Sequence, residues 1–554
     1  MGTKKNKSNY LVQGTILAAA SIFARIIGMI YRIPLTRILG DEGNAYYGSA
    51  NSIYSILLMI STFSLPLAVS KLVSEQLHKG QLKNAQKIFH CSMKFAVLCG
   101  GVISLLTFFF ADVICGTIMR VDNAAYALRV ISPAIFIFAI AGVFRGYFQG
   151  HETMIPTATS QVIEQIVNAF VSVIAAGLLF QYGLSLKDAN ASAAPAWGAA
   201  GGTVGTVVSV TVALIFLMIV YRSFQKSFKK QIAKDPAKKL DSDQAIYQAI
   251  LITILPIVFS TLIYNLSPTL DQAVFNTILS GQGYTKEQYN TIYGIYLGKF
   301  YVLMNVPLAL ASCLAPSVVP VLTAAMVDGN YKDAKIKVRN TMRYTMIITI
   351  PCAVGMAVLA SPIMQLIFSD SHKLPAGIMQ AGALMIVLFA ISTLTTSILQ
   401  GMGKMNIPLK NSAIALVIHV VVLILFLKQF RLNIYGVVYA NTIFALVICV
   451  LNSMALKRYL HYRQELRKTF LIPLISSGFM AIAAFVVYWI FDTLLNYIFI
   501  EAASNAIATI LGILTGVIVY GFFLIKLKGV REYEILDLPK GEWLVSILKM
   551  IKFL

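Results

Sequence analysis

The sequence predicts an all-α polytopic membrane protein of about fourteen transmembrane helices, arranged as two six-helix lobes related by a pseudo-two-fold along the membrane normal, plus two C-terminal helices. Three observations predict it. The 554 residues are 58% hydrophobic and 12% charged, and apolar runs of about 20 residues, long enough to cross a bilayer core, recur along the chain. The runs are apolar all round, without the stripe of a surface helix or the short alternating segments of a transmembrane barrel. Two stretches also repeat. HKGQLKNAQK, with Gly80, returns as DGNYKDAKIK, with Gly329, 249 residues on; FQGHETMIP returns as LQGMGKMNIP, with Gln149 and Gln400 251 residues apart.

In chain order, the N-terminal lobe takes residues 1–222, with spans near 11–39, 50–77, 92–118, 124–148, 156–182 and 198–221. A basic stretch makes 223–245 a cytoplasmic linker. The C-terminal lobe, 246–459, holds spans near 246–280, 292–327, 342–369, 377–400, 408–428 and 434–456. Six spans per copy is an even number, so both copies enter from the same side. Two extra spans, near 470–497 and 504–526, fill 460–528. The tail 529–554 places Trp543, Leu544, Ile547, Leu548 and Ile551 on one face beside Lys549 and Lys552, an amphipathic helix lying on the inner leaflet.

The net charge of +22 is spread over short connecting segments beside the spans, as topology and anionic lipids require; this excludes a nucleic-acid binder and puts both termini in the cytoplasm. The first span is too long for a cleaved signal peptide. The six cysteines lie in or beside apolar spans without metal spacing and read as small buried hydrophobes. The chain carries no P-loop, HExxH or GxSxG pattern, so an enzyme reading would need scattered loop carboxylates.

What remains is charge at membrane depth, costing about 2.5–3.5 kcal/mol per residue at a helix centre. Arg25 and Arg32, seven apart, share a face with Gly28, and Lys299 lies in the eighth span. All three are deep, and their sequence neighbours supply no countercharge, so they read as the lining of a cationic cleft for an anionic substrate. Arg129 and Arg145 in the fourth span and Glu164 in the fifth are further candidates; Arg37 and Arg129 also fit snorkelling or structural pairing. Thr157, Gln161, Glu164, Gln165 and Asn168 make a polar stripe with two open readings: hydrogen bonding between helices, or facing the cleft with Glu164 anchoring Arg145 or a first-span arginine. His419, alone in an apolar span, reads as a packing residue.

ARIIGMIYRIPLTRILGDEGNAYYGSA and the stretch that continues from it, together with FRGYFQGHETMIPTATSQVIEQIVN, resemble the SpoVB/YtgP branch of the multidrug/oligosaccharidyl-lipid/polysaccharide (MOP) exporter superfamily, which includes MurJ-type lipid II flippases. The resemblance covers essentially the whole chain. It implies a Gram-positive plasma-membrane protein that exports an undecaprenyl-diphosphate-linked wall precursor by alternating access, driven by membrane potential or an ion gradient. Two lobes would flank a central cleft, and two extra helices would form a groove for the polyprenyl tail. It places Arg25 and Arg32 against the diphosphate, with Lys299 a looser match. It also implies a sodium ion, the one cofactor expected, at Asp271 with Asn441 or Thr442. The chain departs from the Gram-negative pattern by carrying Asn44 where that branch has an acid, and no basic residue between Arg37 and Lys71. The expected partners are a polyprenyl-diphosphate-linked glycan and membrane lipids, with the protein a monomer. Alternatives are a teichoic, capsular or spore-cortex precursor as substrate, a cation-coupled drug antiporter, and a membrane enzyme acting on the same lipid carrier.

Overall fold

The structure is a computed structural model and describes residues 19–60, 65–186, 191–232, 241–309, 322, 330–497 and 500–530. The expected tail helix around Trp543, the middle of the linker, Gly329, Cys313 and the second half of the eighth span lie outside these residues. The described chain is helical, without strands, and eleven of its helices are long and apolar enough to cross a membrane. The chain divides into two compact units, Met1–Gly298 and Lys299–Leu554.

The first unit contains α1 (Ala19–Ile30), α2 (Arg32–Leu58), α3 (Leu65–His78), α4 (Leu82–Phe109), α5 (Ala124–Gly150), α6 (Ile155–Ser185), α7 (Ala193–Ile232) and α8 (Asp243–Gly281). The division falls inside α9 (Lys286–Ala309), with α8 and the start of α9 in the first unit. The loop expected near residues 40–49 is instead a kink. Gly40 alone leaves helical geometry, with φ 65° and ψ −179°, and the chain is helical again from Asp41. A left-handed φ is open to glycine at little steric cost.

Local chemistry sets the helix starts. Pro156 sits in the first turn of α6, where its missing N–H is harmless. Thr285 and Gln288 form a capping box on α9, and the Ser242 side chain accepts from Ala245 N–H at the start of α8. The α6–α7 pair packs through Gly201 and Gly205: a Cβ on Gly201 would lie 2.3 Å from Ala175 O, and one on Gly205 2.0 Å from Ser172 Oγ. Small residues at this spacing let membrane helices approach backbone to backbone. Two buried clusters fill the unit, one around Leu35, Tyr47, Leu128 and Ile131, the other around Phe89, Phe144, Tyr147 and Leu217.

The second unit contains α10 (Tyr331–Val358), α11 (Ala360–Phe368), α12 (Lys373–Ala381), α13 (Ala383–Gly401), α14 (Asn406–Lys428), α15 (Ile434–Leu460), α16 (Ile472–Leu495) and α17 (Glu501–Lys526). Its helix ends recur at the offsets read from the sequence. Leu82 and Tyr331 start matching helices and Phe109 and Val358 end them (331 − 82 = 358 − 109 = 249), while Gly150 and Gly401 end the next and Ile155 and Asn406 open the one after (401 − 150 = 406 − 155 = 251). The copies differ where α5 is continuous but its counterpart breaks at Gly382; a Cβ there would lie 2.2 Å from Phe300 Cζ. His419 is fully buried in α14 with its ring 5.5 Å from Phe444, in keeping with a packing role.

Candidate functional site

The first unit holds five of the six residues expected to meet the substrate. α1 and α2 are separated by Tyr31, whose hydroxyl accepts from Asn168 Nδ2 of α6 at 3.0 Å. Ser21 of α1 donates to Gln161 Oε1 of α6 at 3.0 Å, and a Cβ on Gly28 would lie 3.3 Å from Gln165 Oε1. At Gln161, Gln165 and Asn168, then, the polar stripe of α6 lies against α1 and joins two helices. Gln161 and Asn168 thus make the hydrogen bonds between helices that one of the two readings describes, and Gly28 lies against α6. Arg25 is exposed, and the half-buried Arg32 lays its guanidinium 4.8 Å over the Tyr47 ring.

Glu164, the acid of the stripe, does something different. Arg145, near the end of α5, donates from Nη2 to Glu164 Oε2 at 2.7 Å and from Nε to Ser160 Oγ at 3.0 Å. The two side chains are 7% and 14% exposed, so this is a buried pair in which loss of one partner strands the other's charge. Arg145 also stacks 5.5 Å from the Phe138 ring. Its anchor is therefore Glu164, one of the two arrangements read from the sequence. Arg129 is half-buried and pairs with Asp112 across the α4–α5 connection.

In the second unit Lys299 is 8% exposed and lies in a π-type turn, Tyr296–Phe300. Its Nζ pairs with Asp370 Oδ2, 71 residues away and also 8% exposed. The sequence neighbours of Lys299 supply no countercharge, and the acid arrives through tertiary structure, from the short connection between α11 and α12. Burial raises the Asp370 pKa, but hydrogen bonds from Lys299 and His372 outweigh it and hold the carboxyl below the usual range. The signal for Asp370 was present as an acid in a short loop directly after an apolar span, but sequence alone gave no reason to join it to Lys299.

Of the predicted sodium ligands, Asp271 is buried in the first unit. In the second, Asn441 is buried and donates to Val437 O at 3.1 Å, and Thr442 donates to Val438 O at 2.8 Å. These bonds occupy donors and leave the side-chain oxygens their acceptor character, the chemistry a hard cation needs. The five described cysteines are free, and three of them, Cys91, Cys115 and Cys449, are buried.

An apolar hollow of about 300 Å³ opens in the second unit between α10, α16 and α17. Met356, Leu359, Met480, Ala484, Ile513 and Val517 are among its lining residues.

Fold and charge pattern together define a polytopic helical membrane protein with a duplicated core. Residues 11–326 match the family described as polysaccharide biosynthesis protein, and residues 191–508 match the family described as lipid II flippase MurJ. The chain belongs to the MurJ and SpoVB branch of the MOP exporter superfamily. It is 26% identical over 508 residues to lipid II flippase MurJ of Bacillus subtilis (strain 168), covering 88% of this chain and 90% of that protein. To stage V sporulation protein B of the same organism it is 22% identical, covering 82% and 85%. Among solved structures it resembles a lipid II flippase MurJ in an inward closed conformation, with a TM-score of 0.64 and 17% identity over 93% of this chain and 99% of that one.

Proposed function

We propose that the protein is a flippase for a lipid-linked glycan in the bacterial plasma membrane, and that its substrate is the undecaprenyl-diphosphate-linked peptidoglycan precursor, lipid II. The observation that carries this reading is a likeness to a lipid II flippase running along 88% of the chain. The relative and the solved structure that carry the name lipid II flippase MurJ are flippases, not enzymes of the lipid carrier.

Chemistry supports the same reading. The exposed Arg25 offers an anion a guanidinium whose fork suits phosphate oxygens, and Arg32 stands seven residues on. The hollow beside α16 and α17 is apolar and suits an isoprenoid chain. The diphosphate headgroup would be taken up by the arginines while the tail stays in hydrocarbon, and alternating access would release it on the other side. With the cell interior negative, moving two negative charges outward is favoured by about 4.6 kcal/mol per 100 mV, so the membrane potential alone can drive the step. A sodium gradient is the second coupling route we propose.

The test is reconstitution of the purified protein in vesicles containing fluorescent lipid II, with headgroup exposure read by an impermeant reagent. Faster exposure than in protein-free vesicles is expected, together with its loss in Arg25→Ala. No acceleration, alongside binding of an organic cation, would replace this reading with a drug antiporter. Acceleration of a teichoic or capsular precursor but not lipid II would move the substrate within the same class.

A further inference from the structure

Pro351 stands inside α10, one turn after Ile347, so the Ile347 carbonyl has no N–H four residues on to bond. A carbonyl left open in a membrane helix needs another donor. It comes from α17, where Tyr520 Oη donates to Ile347 O at 2.7 Å. Pro351 and Tyr520 also line the apolar hollow of about 300 Å³, so the break in the helix bonding and the bond that repairs it both stand on its wall. A second tie lies further along, where Asn505 Nδ2 of α17 donates to Pro362 O of α11 at 3.2 Å and Asn505 Oδ1 accepts from Tyr488 Oη of α16 at 3.1 Å. α17 is thus fixed at two levels, and the hollow opens between them.

The duplication supplies a control. Val102 of α4 stands 249 residues before Pro351, and Leu98 stands at the same offset from Ile347; both are exposed. The copy without extra helices keeps its N–H at this place, and the copy against which α17 packs gives it up and takes a hydroxyl from α17 instead. Proline and tyrosine are therefore a paired feature of the hollow's wall, not of the repeat.

We propose that Tyr520 is a positioning residue for the lipid-linked substrate: by bonding the carbonyl that Pro351 leaves open, its hydroxyl sets the spacing of α10 and α17 at which the hollow accepts an isoprenoid chain. This rests on the flippase reading above and adds to it the bond that shapes the tail site. A cavity of about 150 Å³ takes one benzene, so about 300 Å³ takes roughly a dozen carbons, or about two isoprene units. Contacts to a segment that short depend on the distance between the walls, because dispersion is lost over gaps of an ångström or less.

The experiment measures flipping of fluorescent lipid II by the full chain in vesicles over a range of substrate concentrations. Tyr520→Phe keeps the ring and removes the hydroxyl; KM is expected to rise about threefold to tenfold, the range of one hydrogen bond, with kcat unchanged. Undecaprenyl phosphate added as a competitor should inhibit this variant more weakly by the same factor, whereas inorganic pyrophosphate, which has no tail, should act on both proteins alike. Pro351→Ala returns the missing N–H to α10, so adding Tyr520→Phe to it should change KM no further. That result separates a bond to this carbonyl from a general packing role. An unchanged KM in Tyr520→Phe, a matching change with pyrophosphate, or a full additional loss in the Pro351→Ala background overturns the assignment. If Tyr520→Phe does not fold, the double variant decides, by matching Pro351→Ala or falling below it. A wild type that flips lipid II beside unaffected variants sinks the role of the tyrosine alone, whereas a wild type that does not flip it sinks the functional reading as well.

Discussion

The side-chain amide of Asn44 lies 2.6 Å from the carbonyl oxygen of Gly40, the one residue of α2 that leaves helical geometry. The same nitrogen reaches Thr36 O at 2.9 Å, and the side chain is buried. A kink frees carbonyls that helical N–H groups would otherwise satisfy, and Asn44 supplies the missing donors. This gives a physical reason for an amide at this position: a carboxylate accepts but does not donate. Asn44→Asp should therefore lower stability by at least the roughly 1–3 kcal/mol of an unmade buried hydrogen bond, with added cost for a buried charge. Thermal unfolding in detergent measures it, and an unchanged midpoint would mean the kink does not need the amide.

The Arg145–Glu164 pair yields a prediction of opposite shape for single and double changes. Arg145→Ala or Glu164→Ala strands the partner's charge and should cost about 3–5 kcal/mol. Arg145→Met with Glu164→Leu removes both charges and should recover most of that loss. A double-mutant cycle in thermal unfolding gives the coupling. If the double variant regains stability but not flipping, the pair also serves transport; if it regains both, the pair is architectural.

Much of this architecture was legible in the sequence, because burial in lipid leaves a coarse signal. Apolar length fixed the spans, and the offsets of 249 and 251 residues read from Gly80 and Gln149 reappear in the helix ends of both units. The hairpin between the first two spans was misread for a specific reason. Asp41, Glu42 and Asn44 look like a solvated loop, but they are helical and at least half-buried, Glu42 taking hydrogen bonds from Tyr46 and from Ser192 at 2.6 Å. Lys299 was visible as a charge at depth, but its acid was not, because 71 residues separate the two and no local period links them. The stripe on α6 was visible as well; its facing partners Ser21 and Tyr31 were not, since pairing between helices leaves no mark on either one.

Arg25 and Arg32 should separate in how their loss is felt. Arg25 is exposed, so Arg25→Ala should leave the unfolding midpoint within about 0.5 kcal/mol of wild type while abolishing flipping. Arg32 also covers the Tyr47 ring, an interaction worth about 0.5–2 kcal/mol depending on desolvation. Arg32→Ala should therefore lose flipping and some stability, and Arg32→Lys should keep part of both. Flipping retained in Arg25→Ala would remove it from the substrate path.

His151 supplies the pH prediction. It caps the end of α5, outside the span, with its ring packed 4.3 Å from Tyr147 and 5.2 Å from Phe224 and with Nδ1 2.9 Å from Tyr147 O. Burial lowers its pKa below the ordinary 6.5, more than the bond to the Tyr147 carbonyl raises it. The unfolded chain therefore binds this proton at higher pH than the folded one does, so stability is full above 6.5 and falls as pH drops from there toward the folded pKa. Unfolding midpoints followed from pH 8 to about pH 5 should decline more steeply in the wild type than in His151→Gln, which keeps a polar side chain but takes up no proton. Parallel curves would show that the imidazole is already as free to protonate in the folded protein as in the unfolded chain.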